Sequence, residues 1–235
     1  MEIMKKVAEK HGLICLLHEK PFAGVNGSGK HNNWSLATDA GDNLFSPGST
    51  PSQNARFLLF LAAFIKGVDE YQELLRCSVA FAGNDHRLGA QEAPPAIISV
   101  FLGEELEAIV DSIVNDHDYT DRKRKSLRIG VDVLPAIPKD TTDRNRTSPV
   151  AFTGNKFEFR SLGSSQSIAG PNTILNTIMA EELEQFAEEL EGVKDFSSAL
   201  HELIKRVFTE HQRILFSGNG YDESWVREAE QRGLV

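Results

Sequence analysis

The chain has 235 residues, enough for one large domain or two small ones with a substantial buried core. Hydrophobic residues make up 40% of it and charged residues 25%, a balance that excludes a wholly disordered protein. The formal net charge of −9 excludes a broad nucleic-acid-binding face, because phosphate backbones are bound by basic surfaces.

The first thirty residues predict a helix, a strand and a loop. The apolar residues among the first eleven fall on one side of an amphipathic helix, which Gly12 ends. An unbroken apolar run at residues 13–17 predicts a buried strand, and the glycine-rich stretch 21–29 predicts a loop. No capping residue precedes Glu2, so we expect the chain to begin inside an element, as an excised fragment would.

The next segment predicts a strand followed by a buried helix. Residues 31–36 form the strand candidate, and a turn-rich stretch follows them. Ser52 is predicted to cap a helix that contains residues 57–61, whose apolar character on every face indicates burial. Residues 83–95 predict another loop.

The middle of the chain mixes one acidic helix with polar loops. The helix is expected around residues 104–114, and a strand-like pattern occupies residues 127–133. Residues 118–125, which include the basic run 122–125, and residues 141–148 predict polar loops.

The last third predicts a strand and then a long helix. Residues 156–160 alternate with period two, which places Lys156, Glu158 and Arg160 on one strand face. Pro171 opens the helix, whose apolar residues recur at heptad spacing. Six acidic residues are expected on its solvated face: Glu181, Glu182, Glu184, Glu188, Glu189 and Glu191.

These elements predict a single α+β unit without internal repeats. The longest apolar run, residues 57–65, is less than half of the roughly 20 residues that a bilayer requires. The two cysteines, Cys15 and Cys77, are too few for a disulfide framework or a four-thiolate zinc site. Both features favour a reduced, cytoplasmic setting.

A phosphate-binding loop is the first motif to weigh, and it is rejected. Residues 24–30 fit the P-loop pattern through Lys30, but His31 stands where a serine or threonine hydroxyl would hold magnesium. The residues after it also make a poor helix start, whereas a P-loop directs helix amides at the phosphates.

The remaining motifs have two interpretations when taken one at a time. The charged face of residues 156–160 is either a solvated salt-bridge ladder or a metal-binding carboxylate beside cations that grip phosphate oxygens. Residues 144–146 would supply further phosphate donors in the second case. Alone, His31 and Glu92 would more often be structural.

Taken together, four segments resemble the glutamine synthetase family and occur in the family's order. They are residues 26–35 (Asn-Gly-Ser-Gly-Lys-His-Asn-Asn-Trp-Ser), 87–94, 144–147 and 156–160. Residues 83–89 and 163–176 further resemble its type III subfamily. The resemblance implies an α+β fragment of the catalytic domain, a mostly antiparallel sheet flanked by helices, forming one domain over residues 1–235. Residues 1–160 would carry the sheet and the active site, and residues 161–235 would be mainly helical.

The same resemblance implies roles for the metal-binding and glutamate-binding residues. His31 and Glu158 match ligands of the divalent metal that bridges the nucleotide phosphates. Asn26 and Gly27 match the loop that holds the glutamate substrate. Glu92 matches the catalytic glutamate of a closing flap, which takes a proton from ammonium.

The resemblance also implies roles for the cationic residues and for the residues that contact the nucleotide. Arg87 and Arg160 match arginines on the substrate carboxylate and on the transferred phosphoryl group, and Arg160 would be catalytic. Arg146, also catalytic, and Lys156 match cations on the ATP phosphates. The nucleotide would further be contacted by Asn33 and Ser35.

The implied reaction is glutamate–ammonia ligation through a γ-glutamyl phosphate. It requires ATP and Mg²⁺ or Mn²⁺, with glutamate, ammonia and ATP as substrates and a cytoplasmic, ring-shaped homo-oligomer as the working form. Neither nucleic acid nor membrane is an expected partner. The fragment alone is expected to be inactive, because the family's other metal-binding glutamates lie upstream of the matched region.

Two alternatives stay open: a ligase that joins glutamate to another amine, and a non-catalytic structural or assembly member. The joint presence of the metal, flap and phosphate residues argues against the second. Two departures from the family's pattern concern nucleotide contacts: Asn33 replaces a second histidine and Ala151 an arginine. About fifty residues separate Pro94 from Arg144, which fits the type III resemblance.

Overall fold

The fold combines eight helices with short strands in the part of the chain that the computed structural model describes, residues 1–119, 126–127, 137–138 and 146–235. The helices are α1 (Glu2–Lys10), α2 (Ala55–Glu70), α3 (Gln72–Cys77), α4 (Ala82–Asp85), α5 (Glu104–Val114), α6 (Ala169–Leu190), α7 (Phe196–His211) and α8 (Glu223–Arg232). The strands are β1 (Gly29–Trp34), β2 (Val100–Phe101), β3 (Ser126–Leu127), β4 (Ile137–Pro138), β5 (Val150–Phe152) and β6 (Phe157–Gly163).

The main sheet has the order β1-β6-β5-β2. The pairs β1/β6 and β5/β6 are antiparallel and β2/β5 is parallel, so the sheet is mostly antiparallel, as predicted. Strand β6 lies inside the sheet, and all of its residues are buried. The solvated-ladder interpretation of residues 156–160 is therefore wrong for Glu158 and Arg160, which belong to the buried strand.

Helix α2 joins the sheet to the helical layer. Its Phe64 ring stacks on Phe157 of β6 with the ring centroids 3.6 Å apart, while its other side contacts α6 and α7. The predicted burial of residues 57–61 is confirmed for Phe57, Leu58 and Leu61. Each such side chain contributes about 1.5–3 kcal/mol on burial, so this helix carries much of the core.

The cap of α2 differs from the prediction. The side chain of Asn54, not Ser52, accepts a hydrogen bond from the Phe57 amide at 3.1 Å. Ser52 lies inside a 3₁₀ turn, Pro51–Gln53, which moves the first helical residue to Ala55.

The amino-terminal prediction is half right. Helix α1 forms and Gly12 follows it with a φ of +68°, as expected. The predicted strand at residues 13–17 does not form, and Leu13 and Ile14 are 67% and 86% exposed. A strand needs a hydrogen-bonding neighbour, and no described strand pairs with this segment.

The carboxy-terminal helices follow their patterns with one important exception. The acidic helix α5 and the long helix α6 form, although α6 begins two residues before Pro171. The predicted solvated acidic face is wrong at Glu182, which is fully buried and forms an ion pair with Lys66 of α2.

Several predictions fall outside the described residues: most of the loop at 118–125, most of the strand at 127–133, and the loop at 141–148 as far as residue 145. The division of the chain at residue 160 stays a prediction. None of the described helices combines the length and the hydropathy that crossing a bilayer requires.

Candidate functional site

His31 and Glu158 meet across the two neighbouring strands β1 and β6. The ladder is irregular between Lys30 and Asn32, and such irregularities redirect a side chain. Nδ1 of His31 lies 2.9 Å from Oε1 of Glu158. The histidine side chain is 54% exposed and the glutamate side chain 11%, so the pair sits at the edge of the core and faces solvent.

The pair suits a divalent metal as two of its ligands. Imidazole nitrogen and carboxylate oxygen are both common metal donors. The observed 2.9 Å matches the separation of roughly 3 Å between adjacent ligands of an octahedral ion bound at about 2.1 Å. Among the described residues no third histidine, cysteine, aspartate or glutamate joins a metal-binding group, so the pair alone does not enclose an ion.

The predicted glutamate loop, which is the loop around Asn26 and Gly27 that would hold the substrate, contacts the predicted flap, which is the loop that carries Glu92. Nδ2 of Asn26 donates to Oε2 of Glu92 at 3.0 Å. A Cβ atom on Gly27 would lie 2.4 Å from the carbonyl oxygen of Glu19 and 2.7 Å from Cγ of Arg87, so only glycine fits there. The loop is therefore held tightly between the segment before it and the flap.

The two arginines predicted to bind substrate are buried. Arg87 donates to Oδ1 of Asn84 at 3.0 Å and to the carbonyl oxygen of Leu162 at 3.1 Å. Burial lowers the pKa of its guanidinium, although Glu19 opposes the shift. Arg160 is 1% exposed and donates to the carbonyl oxygen of Ser148. Both hold backbone in place here, and their contacts with substrate stay predictions.

The predicted nucleotide-binding residues lie nearer the surface. Arg146 is exposed above the Tyr221 ring, 5.9 Å from its centroid. Lys156 is half-buried, immediately before β6, and Asn33 is exposed in β1 opposite Glu158. Ser35 is also exposed, and its hydroxyl donates to Oδ1 of Asn43 at 2.9 Å.

Glu19 is a structural contributor that the sequence patterns missed. It is 2% exposed, and its Oε1 accepts hydrogen bonds from the amide of Ser165, at 2.6 Å, and from the Ser165 hydroxyl. Burial raises the pKa of its carboxyl, but the hydrogen bonds from Ser165 outweigh that effect and leave it lowered. Its carbonyl oxygen accepts from the Ser28 amide at 2.7 Å. A glutamate beside a lysine in a loop usually indicates solvent exposure, so no pattern singled it out.

Comparisons with known proteins point to one family. The family model described as the glutamine synthetase catalytic domain matches residues 1–84, and the model described as the glutamine synthetase C-terminal domain matches residues 199–235. Together the two ranges cover about half of the chain. Glu92, Arg146 and Glu158 lie between them.

Alignments with individual relatives extend this similarity over the whole of this chain. A type-3 glutamine synthetase from Dictyostelium discoideum is 56% identical over 238 residues, which cover 100% of this chain and 32% of that protein. A glutamine synthetase from Bacteroides fragilis is 48% identical over 242 residues, covering 100% and 33%. The chain thus spans about a third of the length of the curated relatives it matches.

A solved structure described as apo GmaS without ligand is also similar. It is 18% identical with a TM-score of 0.47, over 99% of this chain and 46% of that chain.

Proposed function

This chain belongs to the glutamine synthetase family, and we propose that it carries the carboxy-terminal part of the catalytic domain of a longer type III enzyme that joins glutamate to ammonia. The observation that carries the proposal is the His31–Glu158 pair, which presents two metal-ligand atoms 2.9 Å apart. The Asn26–Glu92 contact supports it, because it places the predicted glutamate loop and flap side by side.

In the proposed reaction, the γ-carboxylate of glutamate attacks the γ-phosphorus of ATP, and ADP leaves. Ammonia then displaces phosphate from the γ-glutamyl phosphate to give glutamine. A bound Mg²⁺ or Mn²⁺ supplies positive charge for the phosphoryl oxygens when present, and His31 and Glu158 would hold it. Asn26 and Gly27 orient the glutamate.

Glu92 acts in the second step. Its carboxylate attracts ammonium and accepts a proton, which leaves ammonia free to attack. Asn26 holds this carboxylate through the 3.0 Å hydrogen bond until substrate competes for the amide. The flap also keeps water from the acyl phosphate, which would otherwise hydrolyse.

Cationic residues act in the first step. Exposed Arg146 and half-buried Lys156 bind the ATP phosphates, while Asn33 and Ser35 contact the nucleotide. Arg87 and Arg160 act from their buried positions, either through a shift on substrate binding or by keeping the loops in place. Positive charge fixed before the reaction lowers the barrier, because no reorganisation is needed as phosphoryl charge develops.

The longer protein is proposed to work in the cytoplasm as a homo-oligomeric ring. The described residues contribute one histidine–glutamate pair to the metal site, so we expect the 235-residue chain alone to form glutamine at a negligible rate.

The experiment that tests this function separates the two half-reactions in the longer protein with Glu92→Ala. ATP cleavage in the presence of glutamate should persist, while glutamine formation falls roughly 10²–10⁴-fold, the usual contribution of a general base. Glu184→Ala, which removes an exposed glutamate of α6, is the matched control and should leave both rates unchanged. Loss of nucleotide binding together with both half-reactions would show that Glu92 maintains the site instead.

A further inference from the structure

The flap holds two successive non-glycine residues in an unfavourable backbone conformation. Gln91 and Glu92 have φ angles of +51° and +71°, in the left-handed region that side chains with a Cβ rarely occupy. The loop around them is closed by backbone hydrogen bonds, from the Gly89 amide to the Pro94 carbonyl at 2.9 Å and from the Ala93 amide to the Ala90 carbonyl at 3.1 Å. Contacts from outside the loop must help to maintain this shape.

Lys20 makes such a contact and links the flap to the glutamate loop. Its ammonium group donates to the carbonyl oxygen of Val25 and to the side-chain oxygen of Gln91. The adjacent hydrogen bond from Asn26 to Glu92 joins the same two loops. One lysine thus bridges the segment that presents Asn26 and the residue that precedes Glu92.

The backbone that carries Lys20 is itself fixed. Glu19 is anchored through its side chain to Ser165 and through its carbonyl oxygen to Ser28. The Lys20 amide donates to Nδ1 of His18 at 3.0 Å. The lysine side chain therefore extends from a held segment, and half-burial of Lys20 and Gln91 limits competition from water.

We propose that Lys20 is a positioning residue for Glu92: it holds Gln91 and, through it, the left-handed backbone that presents the Glu92 carboxylate to Asn26. Its meaning for catalysis rests on the proposed function, in which Glu92 receives the proton of ammonium. Without Lys20, the flap relaxes and Glu92 spends less time in that position.

Hydrogen exchange on the 235-residue chain tests the coupling without any assay of activity. In Lys20→Met, the Gly89 and Ala93 amides should exchange roughly tenfold faster or more, as expected when local opening becomes easier. The matched control is Lys30→Met, which removes a lysine that donates to the carbonyl oxygen of Gln166, away from the flap. It should leave both amides unchanged.

Two further variants protect the test against a general loss of structure. Gln91→Ala removes the other end of the contact and should reproduce the faster exchange. Lys20→Arg keeps a cationic donor, so its exchange rates should lie within a few-fold of those of the unmodified chain. Unchanged exchange in Lys20→Met, or faster exchange spread evenly over helices α2 and α7, would overturn the proposal.

The catalytic consequence is measured in the longer protein. Lys20→Met should raise the KM for ammonium and slow glutamine formation, while ATP cleavage with glutamate changes less than threefold. Fast flap exchange with unaltered ammonium kinetics would overturn the positioning role. If the unmodified longer protein forms no glutamine at all, the proposed function fails, and the exchange experiment still decides whether Lys20 holds the flap.

Discussion

Two histidine–carboxylate pairs have nearly the same nitrogen–oxygen distance, but one lies at the surface and the other is buried. His31 and Glu158 are 2.9 Å apart at the edge of the sheet, and His211 and Asp69 are 2.8 Å apart between α7 and α2. The His31 side chain is 54% exposed, whereas those of His211 and Asp69 are 11% and 2% exposed. Distance alone therefore does not separate a candidate metal site from a structural histidine–carboxylate contact.

The neighbours of the buried pair explain its role. Nε of Arg213 donates to both carboxylate oxygens of Asp69, at 2.9 and 3.0 Å, and Nη1 of Arg213 donates to the carbonyl oxygen of Arg232. Asp69 thereby connects α2 to the turn after α7 and, through Arg213, to the end of α8. The Asp69 carboxylate therefore has hydrogen-bond partners within the protein, as a buried polar group requires, and it stabilises the fold.

The open pair differs in what surrounds it. Glu158 is held in the buried strand β6, but His31 lies at the irregularity of the edge strand β1 with more than half of its side chain exposed. A ligand can reach the imidazole without disturbing the core. Exposure on one member and rigidity on the other are what a binding site needs.

The largest effect on stability is expected at the buried pair. Asp69→Ala should lower the free energy of unfolding by about 3–5 kcal/mol, because it leaves His211 buried without its carboxylate. Urea denaturation of the 235-residue chain measures this loss. Asp85→Ala, which removes a carboxylate 2.8 Å from Nη2 of Arg76 at the surface, is the control and should cost about 0–1 kcal/mol. Similar losses in both variants would contradict the contrast.

Local patterns predicted six of the elements that form, namely α1, β1, α2, α5, β6 and α6. The acidic helix around 104–114 and the alternating strand at 156–160 need only the periodicity of their own residues, and both form. The mostly exposed run at 13–17 has a strand-like composition without a described partner. The pairing of a β-strand depends on a partner that is often distant in sequence. Local sequence does not encode that partner.

The burial of Asp69 and Glu182 could not be predicted from local sequence patterns for a similar reason. Asp69 and His211 are separated by 142 positions, and Glu182 and Lys66 by 116. Burial of Glu182 raises the pKa of its carboxyl, which only tertiary packing against α2 produces. On a helical wheel Glu182 resembles its exposed acidic neighbours. The resemblance of short motifs, in contrast, did direct attention to His31, which the structure places beside Glu158.

The open pair should respond in the opposite way, with a small change in stability and a large change in activity. Glu158→Gln keeps a hydrogen-bonding side chain of the same shape beside His31, so the free energy of unfolding should change by less than about 1 kcal/mol. In the longer protein, glutamine formation should fall at least about 100-fold, because an amide is a weaker metal ligand than a carboxylate.

Thermal unfolding of the 235-residue chain with and without Mn²⁺ complements that assay. Any stabilisation by the metal should disappear in Glu158→Gln and persist in Glu184→Gln, since only ligand binding to the folded state raises the melting temperature. A loss of stability as large as that of Asp69→Ala would return Glu158 to a structural role.

The smallest effect belongs to a third pair, His117 and Asp111, which are 3.0 Å apart with side chains 51% and 62% exposed. The hydrogen bond from the ring to Asp111 raises the pKa of His117 and lowers that of Asp111. The stabilisation is therefore present between the ordinary pKa values of aspartate and histidine, about 3.9 and 6.5, and is lost as the pH rises through the raised pKa of His117.

His117→Ala should lower the urea midpoint slightly at pH 5.5, and the difference should vanish by pH 8.5. The control, His86→Ala, alters an exposed histidine on α4's carboxyl end and should show no such pH dependence. A difference for His117→Ala that is equal at both pH values would mean that the ring contributes by packing, without the charge that its partner carboxylate stabilises.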